Sequence, residues 1–371
     1  MTSPLRIAMV GSRGIPTAYS GIETSLADLC PRLASRGHRI VVYCRKSYGL
    51  PGSYQGVKLV SLPSIGTKHL DTISHVFLSV AHLLARESVD VVHFHAVGPT
   101  LLSWVPRLGN KKVIATVHGE DWRREKWGLA AKSVLRLGEI ASVRIPHRTI
   151  VVSRTLQRHY RESYGISVDH IPNGVAIRPP RPPKLIRSRY GLRGNDYLLF
   201  VGRLVPEKGC HYLLEAFRNL GGELRLVVAG NASHTNRYVE TLRRQAPPGV
   251  LFTGHLSGEI LEELFSNALL FVLPSTVEGL SVSLLEAMAF GRCVVVSDIP
   301  ENRDVVCEAG LVFKNRDAGD LGRVIRAILR QPELIRVSGQ RAREMILKNY
   351  DWDEIARATE AIYQSVFDAE D

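Results

Sequence analysis

The sequence predicts an α/β protein made of two doubly wound domains, each a parallel sheet covered by helices on both faces. Strand-length apolar runs alternate with amphipathic stretches of helical period along the chain, and these runs are nearly continuous, which is typical of buried parallel strands. The chain has 371 residues. Because this is more than one hydrophobic core usually serves, two domains are expected.

Six strands are predicted in the first half. They occupy residues 7–10, 39–43, 57–62, 89–93, 112–117 and 149–152. Helices over 23–35 and 72–86 lie between them, with apolar residues at helical spacing. Because helix-length segments separate consecutive strands, we expect the strands to pair in parallel through crossover connections.

The same alternation begins again in the second half. Strands are predicted over residues 197–201, 224–229, 250–253, 269–273 and 293–297, and a helix over 353–367. Four of the five residues 179–183 are proline, which cannot continue a helix or a central strand. We therefore expect an N-terminal domain over 1–177, a proline-rich linker over 178–184, a C-terminal domain over 185–350 and a C-terminal helix over 351–371.

The excess positive charge is confined to the first half. Residues 1–175 contain 23 Lys and Arg against 11 Asp and Glu, whereas the remainder contains 25 of each. This asymmetry indicates an anionic partner for the N-terminal half, such as lipid head groups or an acidic acceptor; a generally basic proteome is the alternative explanation. No nucleic-acid-binding module is recognisable, so nucleic acid is not an expected partner.

Cysteine usage and hydropathy indicate a cytoplasmic protein. The five cysteines are scattered without a Cys-x-x-Cys pair, so neither a disulfide framework nor a zinc site is expected. The N-terminus lacks the apolar region of a signal peptide, and no apolar run is long enough to span a bilayer.

Two cations follow the first strand of the second half. Arg203 and Lys208 lie in the loop after residues 197–201, between Gly202 and Gly209. A guanidinium can make a forked contact with phosphate oxygens, and an ammonium adds a compact second charge. The pair indicates a site for a diphosphate whose negative charge grows as it leaves. The alternative is two ordinary surface residues.

Two carboxylates eight positions apart follow another strand. Glu278 lies in the turn after residues 269–273, and Glu286 lies two turns into the next helix. We expect Glu286 to accept hydrogen bonds from vicinal hydroxyls such as a ribose diol, and Glu278 to face a transferred sugar. Backbone N–H groups of Gly279, Leu280 and Ser281 are candidates for phosphate binding at the helix start. Helix capping for Glu278 and a solvated position for Glu286 are the alternatives.

Polar residues also follow strands of the first half. His118 comes after the strand at 112–117, where ligands bind in open α/β sheets; the alternative is a satisfied surface histidine. His93 and His95 end another strand, but the sequence identifies no third ligand for zinc. Gly21 opens a helix whose N–H groups a ligand can approach, although ordinary turn chemistry explains it equally well. Neither the dinucleotide nor the P-loop fingerprint is present.

A basic segment with two tryptophans lies in the same half. It runs from Trp122 to Trp127 and continues among apolar residues through Lys132, Arg136, Arg144 and Arg148. Such an amphipathic helix suits an anionic membrane surface, which for a cytoplasmic protein is the inner face of the membrane. A core-packed helix with a solvated basic face explains the pattern equally well.

In this order the motifs resemble those of glycosyltransferase family 4. The resemblance rests on Glu278-x7-Glu286 with Ala287-Met288, on Gly202-Arg203 and Glu207-Lys208-Gly209, and on Ile171-Pro172-Asn173-Gly174-Val175. It extends from Gly11 to about Trp352. The opening Gly14-Ile15-Pro16-x-x-Tyr19-x-Gly21-x-Glu23-Thr24 is similar to a bacterial subset assigned to rhamnosyl and other polysaccharide-assembly transfers.

The resemblance implies a fold and a reaction. The fold is GT-B, in which two Rossmann-like domains face a central cleft and a C-terminal helix crosses back to the N-terminal domain. The reaction is retaining, metal-independent transfer, without a cofactor, from a UDP-, GDP- or dTDP-sugar to a glycan or polyprenyl-linked acceptor in cell-envelope polysaccharide synthesis. The departing diphosphate is expected to help deprotonate the acceptor. A nucleotide-sugar epimerase of the same fold and a catalytically silent glycan- or lipid-binding module are the alternatives.

The resemblance also assigns roles to individual residues. Arg203 and Lys208 bind the diphosphate, and Glu286 binds the ribose. His118 contacts the donor sugar and phosphate, and the family match at Gly21 favours a ligand role for that helix start. The expected catalytic residues are therefore His118, Arg203, Lys208 and Glu278.

Overall fold

The computed structural model describes most of the chain. The described residues are 3–16, 20–48, 52–67, 70–123, 127–221, 224–231 and 236–369. Tyr19 of the opening motif and residues 124–126 of the basic segment lie outside them. The chain divides into two compact units: unit 1 is Met1–Asn173 with Trp352–Asp371, and unit 2 is Gly174–Asp351.

Unit 1 contains an eight-stranded sheet. Its strands are β1 (Arg6–Val10), β2 (Arg39–Arg45), β3 (Gly52–Tyr54), β4 (Val57–Leu62), β5 (Val91–His95), β6 (Lys112–Val117), β7 (Arg148–Val151) and β8 (Asp169–His170). Its first helices are α1 (Gly21–Ser35), α2 (Leu70–Arg86), α3 (Val97–Thr100), α4 (Trp104–Leu108), α5 (Leu129–Arg144) and α6 (Arg154–Tyr164). The strand order is β3-β4-β2-β1-β5-β6-β7-β8, and only the β3–β4 pair is antiparallel among the described strands.

Alternate residues of β1 are buried in two hydrophobic clusters, one on each face of this sheet. Ile7 and Met9 pack in one cluster with Leu26 of α1. Val10 packs in the other with Val80 of α2. Because successive side chains of a strand point to opposite faces, a continuous apolar run is buried on both sides, as expected for a central parallel strand.

Unit 2 contains a six-stranded, wholly parallel sheet. Its strands are β9 (Tyr197–Val201), β10 (Arg225–Ala229), β11 (Val250–Gly254), β12 (Leu270–Leu273), β13 (Cys293–Ser297) and β14 (Leu311–Phe313). They lie in the order β11-β10-β9-β12-β13-β14. Its helices are α7 (Leu185–Tyr190), α8 (Cys210–Arg218), α9 (Asn236–Gln245), α10 (Glu259–Asn267), α11 (Val282–Ala289), α12 (Pro300–Val306), α13 (Ala318–Leu329) and α14 (Pro332–Asn349). The sheets confirm the predicted pair of doubly wound folds.

The proline-rich stretch belongs to unit 2 in this structure. Arg178 and Arg181 both form ion pairs with Glu262 of α10. The backbone N–H of Arg181 donates to Ser266 Oγ at 3.0 Å, and Val175 is buried in the unit 2 core. These contacts explain why the stretch packs along α10.

The last helix, α15 (Trp352–Asp368), packs in unit 1. Ile355 and Val366 are buried in the same cluster as α1. Glu360 accepts from the His38 ring at 3.0 Å and also pairs with Arg36. The expected return of the C-terminal helix to the N-terminal domain is therefore confirmed.

The eleven predicted strands agree with the structure to within about two residues, whereas the short strands β3, β8 and β14 were not predicted. The largest difference lies in the basic segment. We expected one amphipathic helix to continue from Trp122 to Arg148. Instead, residues Asp121–Arg123 form a 3-10 turn, α5 begins only at Leu129, and Arg148 starts β7. The apolar spacing of α5 was visible in the sequence. Its start was not, because the N-cap residue is Gly128, which has no side chain to signal a cap. Among the described residues no helix is long and apolar enough to cross a membrane.

Candidate active site

Lys208 and Glu278 are in direct contact at one edge of the unit 2 sheet. β9 and β12 are parallel neighbours, so the loops after them leave from the same edge. Lys208 Nζ lies 2.5 Å from Glu278 Oε1, and these side chains are only 15% and 8% exposed. Two residues seventy positions apart, both expected from the sequence, therefore form a largely buried ion pair.

Backbone contacts fix the two loops that carry this pair. Thr276 N–H donates to the carbonyl of Glu207 at 2.8 Å. Gly209 has φ +68°, and a Cβ there would lie 1.9 Å from the carbonyl oxygen of Pro274. Only glycine permits this approach, so Gly209 sets the separation of the Lys208 and Glu278 loops.

The loop that carries Arg203 is fixed from the other side by the end of β10. Gly202 N–H donates to Ala229 O at 3.0 Å, and Leu204 N–H donates to Asn231 O at 3.1 Å. A Cβ on Gly230, which has φ +151°, would lie 1.8 Å from Gly202 O. Arg203, half-buried and five residues before Lys208, is thus held on the same short loop.

Glu286 and the expected phosphate-binding N–H groups lie on the segment that follows Glu278. Glu286 is half-buried in the second turn of α11, beside the buried Leu285 and Ala287. Gly279 and Ser281 are buried and Leu280 is half-buried. The carbonyl of Ser281 accepts from Leu284 N–H and Leu285 N–H at 3.2 Å, which starts the helix.

Two polar residues that the sequence analysis missed, one at the end of β13 and one in α12, brace the Glu278 loop. Ser297 Oγ donates to the carbonyl of Ser275 at 2.5 Å, and Asn302 Nδ2 donates to Ser297 Oγ at 3.0 Å. Both residues are at most 1% exposed. Their signal was Ser297 at the carboxyl end of an otherwise apolar strand.

In unit 1 the loop after β1 is held by a carboxylate that was also missed. Glu23 is 3% exposed and accepts from Arg13 N–H at 3.0 Å and from the Ser20 hydroxyl. Gly14 has φ +128°, and a Cβ there would lie 2.7 Å from Cys44 Cβ. Gly21, expected as a ligand-binding position, is exposed as the first residue of α1.

Three histidine rings lie side by side at the ends of β5 and β6. His118 Nε2 is 3.3 Å from His95 Nδ1, and the His95 ring centroid is 4.2 Å from that of His93. His93 is bonded through both nitrogens, to Tyr363 OH and Thr116 Oγ1, each at 2.7 Å. Burial, with the charge of His118 second, lowers the pKa of His93 to about 3. Burial also lowers the pKa of His95 well below its usual value.

These histidines do not form a metal centre in the described part of the chain. No group of three His, Cys, Asp or Glu side chains there is arranged to hold a metal ion. The His93 and His95 rings are neighbours on one strand, with planes inclined by 31°, and both nitrogens of His93 are bonded to hydroxyl groups.

Trp122 of the basic segment contacts a buried acid. Its indole N–H donates to Glu139 Oε2 at 2.5 Å, and Glu139 also accepts from His159 at 2.6 Å and from Tyr164 OH at 2.8 Å. Burial opposes ionisation of Glu139, but the bonds from His159, Tyr164 and Trp122 lower its pKa. The bond to Glu139 raises the pKa of His159. The network anchors the turn after His118 to α5 and α6.

Comparison with known proteins follows the same division of the chain. Residues 19–178 match the model described as Glycosyltransferase Family 4, and residues 184–345 match the model described as Glycosyl transferases group 1. A glycogen synthase of Mycobacterium tuberculosis is 26% identical over 97% of this chain and 94% of its own length. A GDP-mannose-dependent alpha-(1-6)-phosphatidylinositol monomannoside mannosyltransferase of the same species is 28% identical over 95% and 96%.

The fold is shared with solved glycosyltransferase structures. Sucrose-phosphate synthase from Thermosynechococcus elongatus superposes with a TM-score of 0.84 at 22% identity, covering 99% of this chain and 100% of that one. Two doubly wound units with a C-terminal helix that returns to unit 1 are the GT-B fold. With both family models matched in succession, the chain belongs to the family 4-like glycosyltransferases, which confirms the resemblance. The rhamnosyl subset stays a prediction.

Proposed function

We propose that this protein is a retaining, metal-independent glycosyltransferase. It moves a hexosyl or rhamnosyl group from a nucleoside-diphosphate sugar to a hydroxyl of a glycan or lipid-linked glycan in cell-envelope polysaccharide synthesis. The observation that carries the proposal is the Lys208–Glu278 ion pair at the carboxyl edge of a parallel sheet, with Arg203 on the same loop as Lys208. The mannosyltransferase relative, described as GDP-mannose-dependent, supports a nucleotide-sugar donor and a lipid-linked acceptor.

In this proposal the charged residues have distinct roles in donor binding and bond cleavage. Lys208 and Arg203 stabilise the negative charge that grows on the leaving diphosphate, and they are positioned before the reaction by the glycine-fixed loops. Glu278 holds the Lys208 ammonium in place and accepts from hydroxyls of the transferred sugar. Glu286 binds the ribose diol, and N–H groups from Gly279 to Ser281 bind phosphate oxygens. His118 contacts the sugar and phosphate, and Gly21 lets the donor approach α1.

The proposal is tested first with Lys208→Ala and Glu278→Gln. Because each removes a charged contact that strengthens as the diphosphate leaves, we expect transfer to fall by about a hundredfold or more. Lys314→Ala is the control, since Lys314 pairs with Asp317 at 4.0 Å and is 76% exposed. Transfer is measured in EDTA, and NMR of the product reports its anomeric configuration. Wild-type rates in both variants, dependence on a divalent ion, or inversion would each contradict the corresponding part of the proposal.

The donor and the reaction type are tested by ligand binding and by omission of the acceptor. UDP, GDP or dTDP at a hundred times its dissociation constant stabilises the native state by about 2.7 kcal/mol, which raises the melting temperature. We expect one nucleotide to do so and Lys208→Ala to weaken the effect. Turnover of the donor without acceptor would instead indicate an epimerase.

We also propose that unit 1 binds the anionic inner face of the membrane. Of the sixteen exposed large hydrophobic side chains in the described part of the chain, twelve lie in unit 1. On α5 these include Leu129, Leu137 and Ile140, at 87%, 57% and 40% exposure. Arg136 and Arg144 lie on the same helix, and the whole positive excess lies in the same half of the sequence.

The membrane proposal is tested by vesicle sedimentation of the full chain. Leu137→Gln with Ile140→Gln should reduce binding to vesicles containing anionic lipid several-fold, because less apolar surface enters the interface. Leu334→Gln with Leu347→Gln, exposed positions of unit 2 at 38% and 50%, is the matched control. Binding should weaken as salt is raised. Equal recovery with neutral vesicles, or no recovery, would contradict the proposal.

A further inference from the structure

A small cavity lies behind His118 in unit 1. It has a volume of about 30 Å³ and is lined by both strands that carry histidines, by α1 and by α15. Its polar lining includes His93, His95, Thr116 and Asn173, and Trp352 closes one side. A water molecule needs about 10–15 Å³ by this measure, so the cavity has room for one or two.

Two buried polar atoms belong to residues that line this cavity. His95 Nε2 and Trp352 Nε1 are buried and have no hydrogen-bond partner among the described residues. His95 is 2% exposed and Trp352 is 4% exposed. Since buried polar groups are nearly always satisfied by protein or ordered water, the cavity is the place where water serves both atoms.

The chemistry of these atoms is compatible with one direction of hydrogen bonding through the water. An indole N–H only donates, so water accepts from Trp352 Nε1 and keeps both of its protons to donate. When one of these protons is donated to Nε2 of neutral His95, the ring carries its own proton at Nδ1 and donates it to His118 Nε2 over 3.3 Å. A neutral His118 that accepts at Nε2 carries its own proton at Nδ1.

The surroundings keep His95 neutral and hold its ring in place. Burial lowers the pKa of His95 well below its ordinary value, with the neighbouring His93 and His118 adding to the effect. The His93 ring, fixed at both nitrogens by Tyr363 and Thr116, lies 4.2 Å from the His95 ring. Tyr363 of α15 and Thr116 of β6 therefore hold the His93 ring, and the His93 ring in turn lies against His95.

We propose that His95, through water in this cavity, is a positioning residue that holds His118 as the Nδ1–H tautomer. The consequence rests on the proposed function: His118 then presents an N–H donor to oxygen atoms of the bound sugar nucleotide. His95 itself does not touch substrate. Trp352 makes the C-terminal helix part of this arrangement, because its indole N–H donates to the water that serves His95.

The tautomer is tested directly by NMR of the full chain labelled with ¹⁵N-histidine. The His118 signals are assigned by their loss in His118→Gln. We expect a protonated Nδ1 and an unprotonated, hydrogen-bonded Nε2 for His118, and the same pattern for His95. A protonated Nε2 on His118 would overturn the proposal. This measurement needs no activity, so it stays decisive even if the transferase assignment fails.

Two substitutions of His95 separate positioning from packing. His95→Asn keeps an N–H donor near the place of Nδ1, whereas His95→Gln places its amide near Nε2. We expect kcat of His95→Asn to stay within about threefold of wild type and that of His95→Gln to fall about tenfold, as for a lost hydrogen bond of about 1.4 kcal/mol. The His118 tautomer should change only in His95→Gln. Equal kcat losses in the two variants, with unchanged His118 signals, would overturn the positioning role.

Discussion

Gly209 shows, at the scale of one residue, how the candidate site is held. Its φ of +68° is a conformation that other residues adopt only with strain, and the carbonyl of Pro274 occupies the place of a side chain. The residue joins the 3-10 turn Pro206–Lys208 to α8, so any shift there moves Lys208. The motif Glu207-Lys208-Gly209 therefore combines a charge with the backbone freedom that places it.

We predict that Gly209→Ala destabilises unit 2 and separates Lys208 from Glu278. Gly191→Ala is the matched control, because Gly191 has φ +66° in the same unit and a Cβ there would meet only Arg225 Nη1, at 4.0 Å. Both variants bear the strain of positive φ, about 1 kcal/mol. Urea unfolding should therefore show an additional loss of about 2 kcal/mol or more for Gly209→Ala, because the backbone must move. Equal losses of unfolding free energy in the two variants would show that the close approach of the Pro274 carbonyl does not add to the destabilisation.

The sequence showed which charged residues follow strands, but it did not show which residues their side chains contact. Arg203, Lys208 and Glu278 were predicted because they follow apolar strands, and Glu286 because it lies eight positions after Glu278. Lys208 binds Glu278 directly because β9 and β12 are neighbouring strands, and the sequence does not show this strand order. Ser297 was passed over because its position at a strand end was the only signal, and the sequence does not show that its hydroxyl reaches the carbonyl of Ser275.

At the scale of elements, buried hydrogen bonds join the turn after β6 to α5 and α6. Glu139 of α5 accepts from Trp122 in the turn and from His159 and Tyr164 in α6. Glu120 lies 3.8 Å from His159 as a second negative group, and Arg123 binds Glu120. The position of the turn that follows His118 therefore depends on Glu139 and on the groups that donate to it.

We predict that this network makes unit 1 less stable as pH rises through the neutral range. The pKa of His159 is raised in the native state by its bond to Glu139. Its contribution is therefore complete below the unfolded pKa of about 6.5 and is lost as pH passes the higher native value. His159→Gln should flatten the pH dependence of the unfolding free energy, by up to about 1.4 kcal/mol per pH unit. The control is His255→Gln, at an exposed site, which should leave the pH dependence unchanged. Identical slopes in wild type and His159→Gln would contradict this account.

At the scale of the whole molecule, the two units differ in how they respond to acid. His75, His93 and His95 are buried in unit 1. Burial lowers the pKa of His75 to about 4 and that of His93 to about 3. A native pKa below the unfolded value means that stability is present above about pH 6.5 and is lost as pH falls. The contribution of His159 is already complete below that pH, so it does not oppose this loss.

We predict that unit 1 unfolds first on acidification from about pH 6.5 to about pH 4.5, the range in which these histidines would gain protons on unfolding. All four tryptophans of the sequence, at 104, 122, 127 and 352, belong to unit 1, so their fluorescence reports this unit alone. The tryptophan transition should begin at higher pH than the main loss of far-ultraviolet circular dichroism, to which both units contribute. Each histidine adds a slope of up to about 1.4 kcal/mol per pH unit. Coincident transitions would show that acid acts equally on both units.

The sequence by itself determined the class of fold and eleven of the fourteen described strands, and it predicted the charged residues of the candidate site. Those features follow from local periodicity and from the residue types at strand ends, which burial on two faces imposes along the chain. The tertiary structure alone decided which distant groups meet: Lys208 with Glu278 across 70 positions and His93 with Tyr363 across 270. Such contacts arise because strand order and the return of α15 bring together segments whose own patterns contain no signal of the partner.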